Sequence, residues 1–179
     1  MGRLRIFLTG PPGIGKTTVI RGIERELRTH GIKVGGIIST EIRDSRGRLG
    51  FQLEDISTHK IGTLAHVSER QDGAPTVGKY HVNLFDIERV GTTAIRGAVD
   101  NADVVIIDEI GPMELTSKEF ILAVKFALDS QKSLIATLHR KSTHPLVNAI
   151  RSNPNCQTLE VNMQNRDKIP SEIAASLMR

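Results

Sequence analysis

Gly10-Pro11-Pro12-Gly13-Ile14-Gly15-Lys16-Thr17 carries the most specific chemistry in the chain. It fits G-x-x-x-x-G-K-[ST], a phosphate-binding loop. Its glycines permit backbone conformations closed to other residues, so successive N–H groups turn inward around an anion. The helix expected to follow adds its positive N-terminal end. The residues assigned to the nucleotide phosphates are Gly10, Pro11, Pro12, Gly13, Ile14, Gly15, Lys16, Thr17 and Thr18. Lys16 can reach the β- and γ-oxygens, and the Thr17 hydroxyl can ligate Mg²⁺. The lone Gly-x-Gly inside the loop is not a dinucleotide fingerprint, because the third glycine is missing.

A metal at Thr17 needs a carboxylate, and Asp103-Val104-Val105-Ile106-Ile107-Asp108-Glu109 ends in two. Asp108 closes a β-branched run of the kind buried on both faces in parallel sheets. It reads as the aspartate that holds Mg²⁺ with Thr17. Glu109, one residue on, can accept a proton from a water in line with the γ-phosphate. Lys16 and Glu109 are thus the catalytic pair, Thr17 and Asp108 the metal pair.

These reactive residues must be positioned by the elements around them. Leu4 to Thr9 reads as a buried strand, and Thr17 to His30 as an amphipathic helix stopped at Gly31. Val34 to Thr40 and Leu49 to Ile56 read as strands of a hairpin turning through Arg43–Arg48. Residues 57–82 are Gly-rich, with short strand candidates near Leu64–Val67 and Lys79–Val82. Asn83 caps a helix that breaks at Gly91 and resumes to about Val99. Thr116-Ser117-Lys118-Glu119 reads as a capping box before a helix to about Ser130. Leu134 to Leu138 is a buried strand, Pro145 to Arg151 a short helix and Thr158 to Asn162 a strand. Pro170 opens a closing helix. The alternation gives an α/β fold, a mainly parallel sheet flanked by helices, with a β-hairpin insertion in roughly 40–80. One domain over 1–179 is expected, since no repeat, linker or low-complexity tract interrupts it.

Composition bounds the rest. At 179 residues, 39% hydrophobic and 25% charged, the chain can build a core without staples. A single cysteine, Cys156, excludes an intramolecular disulfide and a Cys-based zinc cluster. The six histidines show no metal-site spacing. One Tyr, five Phe and no Trp leave few stacking platforms for single-stranded nucleic acid. The N-terminal apolar run is too short for a signal peptide, position 6 (Ile6) disfavours myristoylation of Gly2, and no stretch reaches membrane-spanning length. A cytoplasmic protein is expected. The net charge of +4 is uneven: residues 1–50 hold 10 basic and 4 acidic side chains. That bias suits a triphosphate site more than a nucleic-acid surface.

Taken together, these residues resemble the thermophile-type nucleoside-triphosphatase family, RecA-like P-loop proteins that include the vertebrate cancer-related nucleoside triphosphatase. The resemblance extends through Val34-Gly35-Gly36, Thr40-Glu41-Ile42-Arg43, Arg48-Leu49-Gly50-Phe51, Val77-Gly78-Lys79-Tyr80-His81-Val82 and Asn165-Arg166-Asp167. Its most specific block is Ile107-Asp108-Glu109-Ile110-Gly111-Pro112-Met113-Glu114-Leu115. Pro112 departs from the lysine expected there in many relatives. The resemblance implies Mg²⁺-dependent hydrolysis of ATP, GTP, CTP and UTP to diphosphate and phosphate, with loose base selectivity. The sequence carries no signal for a particular oligomeric state.

Several residues keep two readings. Thr137 and His139 sense the γ-phosphate or make strand-end hydrogen bonds to backbone. Arg140 steadies transition-state charge or is solvated. Arg43, Arg46 and Arg48 fit a solvated turn better than an arginine finger. Asn165 and Arg166 contact base or ribose, or form a helix cap and a surface ion pair. Glu114 joins the site or is a surface carboxylate. With no clear finger, basal turnover is expected to be slow. The rivals are a nucleoside or nucleotide kinase, disfavoured by Glu109 and the lack of an Arg-rich lid, and an NTP-controlled switch with a protein or nucleic-acid partner.

Overall fold

The computed structural model describes residues 3–178. Met1 and Gly2, on which the lipidation question bears, lie outside it. Among the described residues, one sheet of nine strands runs through the molecule. β1 (Arg5–Thr9), β2 (Val34–Asp44), β7 (Val104–Ile110), β8 (Ser133–Leu138) and β9 (Gln157–Glu160) form its parallel half, in the order β2-β7-β8-β1-β9. β8 thus separates the strand of the phosphate loop from the strand of Asp108, a RecA-like order. β3 (Gly47–Asp55), β4 (Ile61–His66), β5 (Thr76–Val77) and β6 (Tyr80–Val82) extend the sheet antiparallel beyond β2.

Alternation along each parallel strand builds two cores. Ile6, Leu8, Val34, Ile38, Val104, Ile106 and Ile135 face α1 (Lys16–Thr29) and α6 (Ile169–Leu177). Phe7, Ile37, Val105, Ile107, Leu134 and Ala136 face α3 (Thr93–Asn101), α4 (Lys118–Asp129) and α5 (Pro145–Ser152). Each helix offers one apolar stripe: Val19, Ile20, Ile23 and Leu27 in α1, Phe120, Ala123, Val124 and Ala127 in α4. Strands buried on both faces explain the unbroken apolar runs in the sequence. Gly36 in β2 has φ 116°, and a Cβ there would lie 1.9 Å from the Ile106 carbonyl oxygen of β7. Only glycine lets those two site-bearing strands approach so closely.

Four expectations change. The hairpin turn is two residues, Ser45-Arg46, so Arg43 and Arg48 belong to the strands. The strand candidates of the insertion appear as β4 and β6, and an unforeseen short strand, β5, pairs with β6. The chain does not break at Gly91. From α2 (Leu84–Asp86) it widens into a π-helical turn, Ile87–Thr92, and runs directly into α3. Gly91 lies inside that turn, where a Cβ would press on Leu53 at 3.3 Å. Lastly, α4 is capped by Ser117, whose hydroxyl accepts from the Phe120 N–H. Thr116 instead donates to the Met113 carbonyl at 2.6 Å, so the reciprocal box with Glu119 does not form. No described helix is long and apolar enough to cross a membrane.

Candidate active site

The loop between β1 and α1 folds as the glycine spacing requires. Gly13 and Gly15 take φ of 76° and 102°, and Gly15 is the left-handed cap from which α1 starts. Its carbonyl accepts from the Val19 N–H at 2.9 Å, so the helix begins immediately behind the loop. Lys16, at the first helical position, brings its Nζ to 3.8 Å from Glu109 Oε2. The phosphate loop and the acidic strand end therefore meet, although 93 residues separate them in the chain.

Asp108 is 1% exposed. The Thr137 hydroxyl donates to its Oδ1 at 2.6 Å, and the Thr17 hydroxyl lies beside the same carboxylate. Burial pushes the Asp108 carboxyl up, and those hydroxyls and Lys16 oppose the rise. Its Oδ2 is buried without a hydrogen-bond partner. An orphaned carboxylate oxygen next to Thr17 is the donor set Mg²⁺ uses when phosphates and water complete its shell. No cluster of three or more His, Cys, Asp or Glu fit to hold a metal occurs among the described residues, which leaves a dedicated protein cage unsupported. The backbone carbonyl of Asp108 accepts from Ser39 of β2 at 2.5 Å, fixing the strand end from the other side.

Glu109 is also raised, first by burial, then opposed by Lys16 and reinforced by Asp108. Glu114 is a correction to the surface-carboxylate reading. It is 4% exposed, on the short helical turn Glu114–Thr116. A Cβ on Gly111 would meet Glu109 Oε1 at 2.7 Å and Glu114 Oε2 at 3.0 Å, so the two carboxyls flank that glycine. Burial and the Glu109 charge push Glu114 up to about 8. At that value it is mostly protonated near pH 7 and adds little charge beside Lys16.

The remaining candidates separate. Thr137 bonds the Asp108 carboxylate rather than strand-end backbone. His139 sits in the same cleft with its Nδ1 buried and unpartnered, and burial, with Lys16, Arg151 and Lys141 nearby, pushes its imidazole below the usual value. Arg140 lines the cleft and pairs with Glu160 at 3.3 Å. Arg43 and Arg48 both bind Glu41, while Arg46 is exposed at the turn. Asn165 spends its side chain on the turn after β9, accepting from the Asn162 N–H and donating to the Glu160 carbonyl. Arg166 reaches the Ile14 carbonyl of the phosphate loop at 3.4 Å and pairs with Asp167. Cys156 packs partly buried against the α3–α5 core, and burial raises its thiol.

All of this opens into a cleft of about 890 Å³. Gly10, Gly13, Lys16, Thr17, Asp108 and Glu109 line one end, and Glu41, Arg48, Phe51, Leu64, Val77 and Tyr80 the other. That second wall escaped sequence reasoning. One signal pointed to it: with one Tyr and five Phe in the chain, any two that converge are conspicuous.

The profile of the NTPase family matches residues 5–174. The chain belongs to the NTPase family. It is similar to the nucleoside-triphosphatase THEP1 of Methanosarcina acetivorans, 45% identical over 177 residues and 98% of both chains. The protein of the same name from Thermofilum pendens is 42% identical over 99% of this chain and 97% of its own. Among solved structures, the crystal structure of THEP1 from the hyperthermophile Aquifex aeolicus superimposes with a TM-score of 0.83 at 31% identity, covering 98% of this chain and all of that one. The solution structure of a human cancer-related nucleoside triphosphatase gives 0.80 at 33%, covering 97% of each. These likenesses span both halves of the sheet, so the second wall of the cleft belongs to the NTPase family fold and not to an appended element.

Proposed function

We propose that this chain hydrolyses nucleoside triphosphates to the diphosphate and phosphate, with Mg²⁺ held by Thr17 and Asp108. The observation that carries the reading is the convergence of Lys16, Glu109 and the orphaned Asp108 Oδ2 at the mouth of one glycine-rich loop. The loop amides and the start of α1 surround the β- and γ-phosphates. Lys16 neutralises charge on the phosphoryl group in flight. Glu109, raised by burial, takes the proton from a water and aims its oxygen at the γ-phosphorus. The new P–O bond forms as the bridge to the β-phosphate breaks, and the diphosphate leaves with the electron pair. Bound Mg²⁺ supplies charge neutralisation at the phosphate oxygens.

Glu114, held neutral across Gly111, excludes water behind Glu109 without repelling the substrate. Arg166, braced on the Ile14 carbonyl, marks the side on which ribose and base leave the loop. The side chain of Asn165 is engaged in the turn beside it. Neither offers a base-specific pattern, in keeping with ATP, GTP, CTP and UTP all serving as substrates. The arginines that line the cleft, Arg48 and Arg140, are each paired with a carboxylate, so slow basal turnover is the expected outcome.

Phosphate release from these four nucleotides, with and without Mg²⁺, tests the reading. Glu109→Gln should keep nucleotide binding and lower turnover by at least ~100-fold. Wild-type turnover by that variant, or release independent of Mg²⁺, would refute it.

A further inference from the structure

On the triphosphate reading proposed above, the second wall of the cleft lies on the side away from the base. The phosphate loop follows β1, and Asp108 and Glu109 end β7, two strands along. On the triphosphate reading, with the γ-phosphate between Lys16 and Glu109, the α-phosphate and ribose would run back along the loop toward β1 and β9, the side on which Arg166 touches the Ile14 carbonyl. The second wall comes from β2, β3 and β6, beyond β7 in the opposite direction. Phe51 stands in register with Glu41 of β2. It is two strand spacings, or about 10 Å, from the strand of Asp108.

Its chemistry suits a flat, uncharged ring. Phe51 and Tyr80 meet edge to face, with centroids 5.2 Å apart at 67°. Val77 and Leu64 line the cleft with them. The Arg48 guanidinium lies 5.3 Å from the Phe51 centroid, tied to Glu41, and its Nε–H has no acceptor. Arg43 is committed to the same Glu41. A phosphorylated ligand would find both of these arginines already neutralised. A nucleoside would bring a ring for the aromatic pair, ring nitrogens and carbonyls for Arg48 and Glu41, and no new charge.

We propose that the far end of the cleft binds a nucleoside, whose primary hydroxyl takes the place of water as acceptor of the γ-phosphoryl group. This rests on the triphosphate reading of the near end. The hydroxyl oxygen forms a bond to the γ-phosphorus, and its proton passes to Glu109. The bridge to the β-phosphate breaks, and the nucleoside diphosphate departs with the electron pair. The products are a nucleoside monophosphate and a nucleoside diphosphate. Hydrolysis is then the reaction of the same centre when the acceptor site is empty.

The experiment saturates the wild-type chain with a non-hydrolysable triphosphate analogue and Mg²⁺. It then measures binding of tritiated adenosine, guanosine, cytidine, uridine and thymidine by equilibrium dialysis. At least one should bind saturably with the analogue present, and Tyr80→Leu and Arg48→Met should each weaken it roughly tenfold or more. With γ-labelled triphosphate, label should move to that nucleoside. No saturable binding, displacement of the nucleoside by the analogue, wild-type affinity in both variants, or label found wholly in orthophosphate would each overturn the proposal. Analogue binding is measured separately. Its absence overturns the triphosphate reading and this proposal together, whereas analogue binding without a nucleoside overturns this proposal alone.

Discussion

Glu114 offers a test of the site that needs no substrate. Its carboxyl is buried, flanks Gly111 with Glu109, and stands at about 8 against an ordinary 4.5. Between those values the folded chain keeps a proton that the unfolded chain has released. Stability therefore falls as pH rises through that window, and is fully retained below 4.5. At ~1.4 kcal/mol per pH unit, the ceiling on the loss is ~5 kcal/mol. A chain of this kind has a total stability of ~5–15 kcal/mol, so the effect is large. Glu114→Gln keeps the shape and removes the titration. Urea unfolding of both proteins at pH 5, 6.5 and 8.5 gives the difference directly. The variant should exceed the wild type by about 1 kcal/mol at pH 5 and by several kcal/mol at pH 8.5. Asp108 and Glu109, also raised, remain in both chains, and relief of the Glu109–Glu114 repulsion in the variant adds to the difference in the same direction. A difference that stays flat across the window would show that Glu114 is not held neutral, and the reasoning from burial would fall.

Two further outcomes test the scaffold around the metal carboxylate. Thr137→Val leaves Asp108 Oδ1 without its 2.6 Å donor, and should cost ~1–3 kcal/mol, read as a lower urea midpoint with unchanged slope. Gly36→Ala places a methyl 1.9 Å from the Ile106 carbonyl oxygen at φ 116°, and should cost more than ~4 kcal/mol or abolish soluble expression. A normal melting temperature for that variant would contradict the close approach of β2 to β7.

What the sequence made legible was local. The phosphate loop is eight consecutive residues, and Asp108-Glu109 closes one apolar run. Fold class followed from alternation, since strands buried on both faces read as continuous Val and Ile. Residues 41–80 resisted because their structure is set by partners distant in the chain. Phe51 meets Tyr80 only through β3 pairing with β4 and β4 with β6. Tyr80 carried a family resemblance but no derivable role until that register placed it. Gly91 misled for a related reason. A glycine in a helical pattern reads as a break, whereas Leu53 and Phe120 packed against it keep the chain wound as a π turn. Glu114 kept two readings because nothing in Met113-Glu114-Leu115 reveals that its carboxyl is buried beside Gly111.

The charge bias of the first fifty residues shows how far composition can be pushed. Read along the chain, the surplus clusters around the phosphate loop and its hairpin. In the structure half of those basic side chains are arginines paired nearby, mostly with the acids already counted in the first fifty residues. Arg21 pairs with Glu54, Arg28 with Glu24, Arg43 and Arg48 with Glu41, and Arg46 with Asp44. Lys16 alone of these basic residues faces Glu109. Of the cations that join it at the cleft, Arg48 comes from the first fifty residues but is tied to Glu41, and Arg140 and Lys141 come from the part of the chain without a basic surplus. Recognition of a triphosphate then depends on loop amides, the start of α1 and one lysine, not on a broad positive field. Such a site holds the phosphates by geometry.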